Sequence, residues 1–354
     1  MSDNIEVAPW RPNDAIKGLL IIYGLTIISC AIINMWMKAS PIGPWVGDEI
    51  QNWYWFDNVT FQLMALWWAL MFAVVGYWPF HKIENPMKRG VILTAVSWVL
   101  GFFTAKAIYW SGLGADWVFP IVGSLYFYLA FFSFTGENWV VANLSQPRQF
   151  FVLMVLILGL TYVTTNTSIR WIPAWWFPFI QMGAATGLLT YLTRNMAQPL
   201  KGITQMLILF LAVCIYLWIS KMMGIWDLSL DGVSGFWHIG YLAADSSWLL
   251  WFMVGCSVVY GVLIPLHNWP FTKIPMPWGG LIASAFCIGL ISIVTIFLKS
   301  LIGPVFTDMN EALTYGYMGV NWSFVIPLIF GVGLSKPYLW AGQKTPGTWD
   351  DVDD

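Results

Sequence analysis

Side chains able to do chemistry are scarce in this sequence, and their positions limit what it can do. Its three histidines, His81, His238 and His267, fall between apolar runs, and none shares a metal-ligand spacing with a second histidine or a carboxylate. A haem-bearing quinone subunit needs histidine pairs placed between helices, so the sequence argues against an intrinsic haem. No cofactor and no metal site is expected. The cysteines Cys30, Cys214, Cys256 and Cys287 all lie inside apolar runs without pairwise spacing, which suits buried thiols. There is no phosphate-binding loop, HExxH, nucleophile elbow or paired carboxylate set, so no catalytic residue is expected and an enzyme has no supporting constellation.

What remains is a short set of polar groups within or at the ends of apolar runs. Lys106 in "FFTAKAIYW" stands about one turn inside the end of its run, and Lys299 in "TIFLKSLIGP" directly after the end of its own. Gln181, Ser124, Tyr128, Ser257 and Tyr260 are the neutral members of the set. An ionisable group at membrane depth points to a solute path, whereas a lysine near a helix end also serves by snorkelling to headgroups. Hydroxyls and amides likewise bond between helices. Both uses stay open, and these seven residues are the candidates for a solute pathway. No carboxylate is expected at mid-membrane: Asp57 and Glu137 stand at helix ends, while Asp308 and Glu311 fall in an outer loop. That arrangement argues against simple proton coupling through a buried acid.

The elements that must hold these groups are membrane helices. Of the residues, 58% are hydrophobic and only 10% charged, in runs too long for core strands or ordinary core helices. A net charge of -2 without a basic cluster excludes a nucleic-acid partner. The fold class is therefore all-α, a polytopic integral membrane protein of about ten transmembrane helices. The spans fall at 16–36, 60–77, 90–109, 117–135, 150–165, 174–193, 203–220, 247–266, 279–298 and 321–334. Residues 1–15 form a cytoplasmic N-terminal segment, 16–335 a single transmembrane domain, and 336–354 a cytoplasmic acidic tail. The start lacks the basic region and cleavage site of a signal peptide, so the first span is expected to be retained.

Lysine and arginine gather on the side that holds both termini, which is thereby the cytoplasmic side of the inner membrane. Across the bilayer each odd helix ends in one cation, giving an outer ring of Lys38, Lys106, Arg170, Lys221 and Lys299. The phrase "WPFHKIENP" from Trp78 returns as "WPFTKIPMP" from Trp269, 191 residues later and after six intervening crossings, hence on the same face. Together with "ANLSQPRQ" and "RNMAQPLKG" it suggests five tandem parallel helical hairpins. Proline ends one helix and shapes the entry to the next. Gly183 and Gly187 in "GAATG" would allow a close helix crossing.

Such architecture suits a transporter or channel for a small solute, and the outer cations favour an anionic one. The alternative is a non-catalytic membrane subunit of a larger complex that binds lipid or quinone. The expected partners are the lipid bilayer and a small-molecule solute, with a second copy of the chain or a membrane-complex partner left open.

Overall fold

The computed structural model describes residues 12–39, 63–64, 66–68, 70–71, 75, 77–108, 124–125, 127–129, 131–166, 187–222, 247–263, 266, 268–307 and 309–325. These are helices and turns, with no strand among the described residues beyond an isolated bridge between Ile302 and Phe306. The helices are α1 (Pro12–Ala39), α2 (Pro86–Ile108), α3 (Gln146–Asn166), α4 (Leu188–Leu192), α5 (Leu200–Met222), α6 (Ser247–Leu263), α7 (Trp278–Ser300) and α8 (Met309–Val325). Further helical residues lie within 63–71 and 124–129, the latter followed by a π-turn at Phe131–Thr135. The N-terminal segment, the acidic tail, and the predicted residues Arg170, Gln181, Gly183, His238 and His267 lie outside the described residues.

Three stretches, Lys88–Ala107, Gln146–Thr164 and Trp278–Ser300, are long and apolar enough to cross a membrane. At 1.5 Å per residue the 23 residues of α7 reach about 34 Å, against a hydrocarbon core of about 30 Å. Each of these helices, and α5 with them, buries one face and exposes large apolar side chains on the other. Phe103 is 60% exposed, Val155 72%, Leu207 62% and Ile293 67%, which suits faces that meet lipid or another apolar surface.

The helical residues at 63–71 and 124–129, together with α6 and α8, are instead buried. Every described side chain from Met253 to Val262 in α6 is buried, so this helix has no outward face. It packs on α8, α7 and α1, and α1 also packs on α8. Helices that meet in an apolar setting associate through close contact and interhelical hydrogen bonds. The α6–α8 seam has both. Ser257 donates to the carbonyls of Met253 (3.1 Å) and Gly316 (3.3 Å), and Ser323 donates back to the Ser257 carbonyl at 3.5 Å. On the other flank Cys30 donates to the Thr314 carbonyl, and the Trp322 indole donates to Ser29 at 3.1 Å.

At one end of the molecule the connecting turns share a backbone pattern. A residue at positive φ, namely Tyr77 (67°), Asn138 (56°) or Asn268 (60°), precedes a tryptophan. The Trp78, Trp139 and Trp269 amides then donate three residues back, at 3.2, 3.0 and 2.8 Å. Ile83, Leu144 and Ile274 do the same five residues later, and Pro86, Pro147 and Pro277 stand at the following helix starts. Asparagine tolerates the left-handed region, whereas for tyrosine it costs about 1–2 kcal/mol.

Contacts between neighbouring turns place them together. Trp78 lies 5.1 Å from the Phe150 ring at the start of α3. Gln198, just before α5, donates to the Thr135 carbonyl at 3.1 Å and accepts from the Gly202 amide at 3.2 Å. Lys201 pairs with Glu137 across the same junction. Leu188 of α4 in turn packs on Gly280 at the start of α7. This is the turn end of the molecule.

The largest departure from the hydropathy pattern is α8. The apolar run predicts a helix over 321–334 and an outer loop over 299–320, yet α8 runs Met309–Val325. The segment "MNEALTYGYMGVN" has too many polar and glycine positions to read as a span. It folds because α1 and α6 cover it and its glycines admit α6 closely. A Cβ on Gly319 would sit 2.6 Å from Ser257 Oγ, and one on Gly316 would sit 2.7 Å from Met253 Cβ. Gly319→Ala is therefore expected to destabilise the protein by about 1–3 kcal/mol. At Gly289 of α7 an added Cβ meets nothing within 4 Å, so Gly289→Ala should be neutral or stabilising by up to about 1 kcal/mol. Thermal unfolding of both variants in one detergent checks the pair, and equal midpoints would show that the seam is not close-packed.

Candidate functional site

The described polar groups that lack a structural partner concentrate on α2. Its start is fixed by Asn85, whose Oδ1 accepts from the Lys88 amide at 3.0 Å and caps the helix, while Pro86 occupies the first turn where no donor is missed. Inward-facing residues then follow at four-residue steps. Arg89, Leu93, Ser97, Gly101 and Ala105 are all buried, as helical periodicity requires of one face.

Three atoms near this face have no hydrogen-bond partner despite complete burial: Arg89 Nε, Thr94 Oγ1 and Ser97 Oγ. Buried polar groups are nearly always satisfied, and each exception asks for an explanation. Closer to the far end Thr104 is satisfied, accepting from the Trp67 indole at 3.0 Å and donating to the Leu100 carbonyl at 2.7 Å. Lys106, in the last turn, is only 8% exposed. A lysine that snorkels to an open surface keeps its end accessible, and Lys106 is buried instead.

At the turn end Arg89 is held by Tyr77. The guanidinium carbon lies 4.0 Å from the centroid of the Tyr77 ring, close enough for a cation–π contact. Burial pushes the Tyr77 phenol above its ordinary value, while the Arg89 charge and hydrogen bond pull it down. The contact also supports the positive φ of Tyr77, since the ring is fixed between the turn and α2.

The remaining candidates are dispersed. Ser257 is spent on the α6–α8 seam, and Tyr260 is buried in the same helix. Tyr128 shares a 2.5 Å hydrogen bond with Thr164 of α3, and Ser124 is buried one turn before it. Lys299 is half-buried in the last turn of α7. Lys38 and Lys221 belong to α1 and α5, though their side chains lie outside the described residues, as Arg170 and Gln181 do altogether.

Arg89, Thr94 and Ser97 are therefore the residues that sequence reasoning passed over. Arg89 reads as one more loop-proximal cation in "MKRG", and only its register with Leu93 and Ser97 could have shown it turning inward. Glu311 was also misplaced. It is 3% exposed in the first turn of α8, where its carboxylate accepts from the Thr307 amide (3.0 Å) and hydroxyl (3.1 Å). That is a helix N-terminal cap, and the helix dipole favours its charge there.

No protein family, curated protein or solved structure matches the chain.

Because the folded-state value of Tyr77 is raised, folding keeps its proton. Its contribution is complete below the unfolded value of 10.0 and is lost as pH rises from there through the folded value. Tyr77→Phe has nothing to ionise, so its stability should fall less steeply above pH 10 than that of the wild type. Unfolding midpoints collected across this alkaline window test the sign, and parallel curves would refute it.

Proposed function

We propose that the chain is a transporter or channel for a small anionic solute, embedded in the inner membrane as about ten helices in five tandem parallel hairpins with both termini cytoplasmic. The observation that carries this reading is α2. One spanning-length helix has a buried cation near each end, Arg89 at 9% and Lys106 at 8% exposure, and two unpartnered hydroxyls, Thr94 and Ser97, between them. Charged side chains at membrane depth are costly, and where they are kept they mark ion and substrate paths. Positive charge at both ends with neutral hydroxyls between suits an anion that enters, loses part of its water and leaves without being trapped.

Charge distribution supports the orientation. Lys82, Lys88, Arg148, Arg194 and Lys273 are exposed at or beside the turn end, the side that the positive-inside rule assigns to the cytoplasm. The common pattern of the three tryptophan turns supports the repeat. The ring of Lys38, Lys106, Arg170, Lys221 and Lys299 would then concentrate anions at the outer mouth.

The second reading, a membrane subunit that binds lipid or quinone, is favoured by a different feature. Phe127, Tyr128, Phe131, Ile203, Met206, Leu207 and Phe210 line an apolar groove of about 440 Å³ between the helical residues at 124–129 and α5. It has the size of a ligand pocket but few polar groups to orient a ligand, so it suits a hydrocarbon tail.

Flux of chloride, phosphate and acetate into proteoliposomes decides between the two. The wild type should carry at least one of them, with Lys106→Ala slower by about tenfold or more, equivalent to about 1.4 kcal/mol. Ser97→Ala and Gln181→Ala are expected to change rate or selectivity. Unchanged flux in both Lys106→Ala and Ser97→Ala would remove α2 from the path. A wild type without flux that instead purifies with stoichiometric partner polypeptides in mild detergent would establish the subunit reading.

A further inference from the structure

Arg89 is a guanidinium held inside the protein, with no counter-ion among the described residues. Its residue is 9% exposed and its Nε is sealed from solvent with no acceptor. Among the described residues no carboxylate pairs with it: Glu84 is exposed on the turn, and Glu137 is taken by Lys201. Arginine cannot shed its charge as a buried lysine can, so its desolvation must be offset by something that accepts from it. Tyr77 supplies part of this through the ring face, 4.0 Å from the guanidinium carbon.

A ring on one face has a further consequence. Every N–H of a guanidinium lies in its plane; one bonds the Tyr77 side chain, while the buried Nε donor has no acceptor. Tyr77 thus holds the guanidinium with one donor still to be satisfied, and an oxyanion oxygen is the acceptor such a donor bonds most strongly. Two neighbours add to it. The amide dipoles at the start of α2 carry partial positive charge toward the same end, and the exposed Lys82 and Lys88 extend a positive field into solvent.

We propose that Arg89, oriented by Tyr77, is an oxyanion-binding site at the turn end of α2, with a phosphate-type group as its ligand. The ligand is either free phosphate or the phosphate of a lipid headgroup, since both present the same phosphate oxygens. Only the statement that the bound anion is also cargo rests on the transport reading given above.

The test uses the full chain and thermal unfolding. In detergent, inorganic phosphate should raise the midpoint in a saturable way beyond chloride of equal ionic strength. In nanodiscs, phosphatidylglycerol should do so beyond phosphatidylcholine if the headgroup is the ligand. Either shift is expected to vanish in Arg89→Gln, and the arm in which it occurs identifies the source. No shift in the wild type with either probe, or an equal shift in Arg89→Gln, would overturn the site.

If Arg89→Gln does not fold, Arg89→Lys carries the same question. It keeps the charge but loses the Nε donor, so phosphate should bind at least about tenfold more weakly. Unchanged affinity overturns the proposal. Failure of the two ideas is separable: Arg89-dependent phosphate binding without flux by the wild type keeps the site and removes transport. Flux that survives in Arg89→Gln alongside lost phosphate binding keeps both the site and transport, but takes Arg89 off the path.

Discussion

Ser257 carries the contact on which the arrangement of helices depends. Its hydroxyl reaches the Gly316 carbonyl of α8 because the glycines at 316 and 319 have no Cβ to hold the helices apart. In water such a seam would be reinforced by expelling solvent from apolar faces. Should it lie in hydrocarbon, as the proposed membrane reading has it, that force is missing, since a lipid tail is as good a neighbour as leucine, and close packing and hydrogen bonds must suffice. With α6 buried all round, the helices against it are ordered by shape. α8 approaches at its glycines, α1 at Ser29 and Cys30, and α7 along the side that keeps Ala283, Cys287 and Ile291 buried.

The turn end obeys a different constraint, the need to return the chain in few residues while keeping charge out of the apolar layer. A residue at positive φ reverses the backbone, tryptophan fills the corner, and a proline at the next helix start needs no donor there. Gln198 then spans from one junction to the next by satisfying the Thr135 carbonyl and the Gly202 amide with one side chain. Both are groups that a helix end or a π-turn leaves over. Several polar residues here are therefore consumed by architecture, whereas Arg89 has a buried donor without an acceptor and no carboxylate among the described residues.

Much of this was legible in the sequence because apolar runs and turn residues act locally. The runs located α1, α2, α3, α5, α6 and α7 to within a few residues, and "WPF" marked two turns of one geometry. The third turn was harder to see. "NWVVANLSQP" keeps only the Trp139 to Pro147 spacing of its relatives, and its backbone likeness depends on Asn138 entering the left-handed region. α8 starts earlier than its apolar run for a physical reason. Its helicity comes from tertiary cover by α1 and α6, which a hydropathy window does not contain, so "NEALTYGYMGVN" reads as an outer loop that includes Glu311. Ser257 and Tyr128 were found by residue type, but type alone could not tell a path from a seam, and the structure gives both a packing partner.

The same distinction separates Arg89 from the other cations. Lys201 meets Glu137, Lys273 rests 5.7 Å from the Trp269 ring on an exposed turn, and Arg194 donates to the Tyr191 carbonyl at 2.8 Å while keeping its head in solvent. For each of these, water or a carboxylate stabilises the charge. Arg89 has an aromatic face and little solvent. A stacked ring offsets on the order of 2 kcal/mol for a desolvated cation, whereas the effective cost of burying one is several kcal/mol. The shortfall must be met elsewhere in the fold unless an anion meets it at the site. A leucine there would pack without that cost, so a buried guanidinium with an unspent donor makes sense where an anion is to be met. On α2 that donor stands at one end of a helix whose other end buries Lys106.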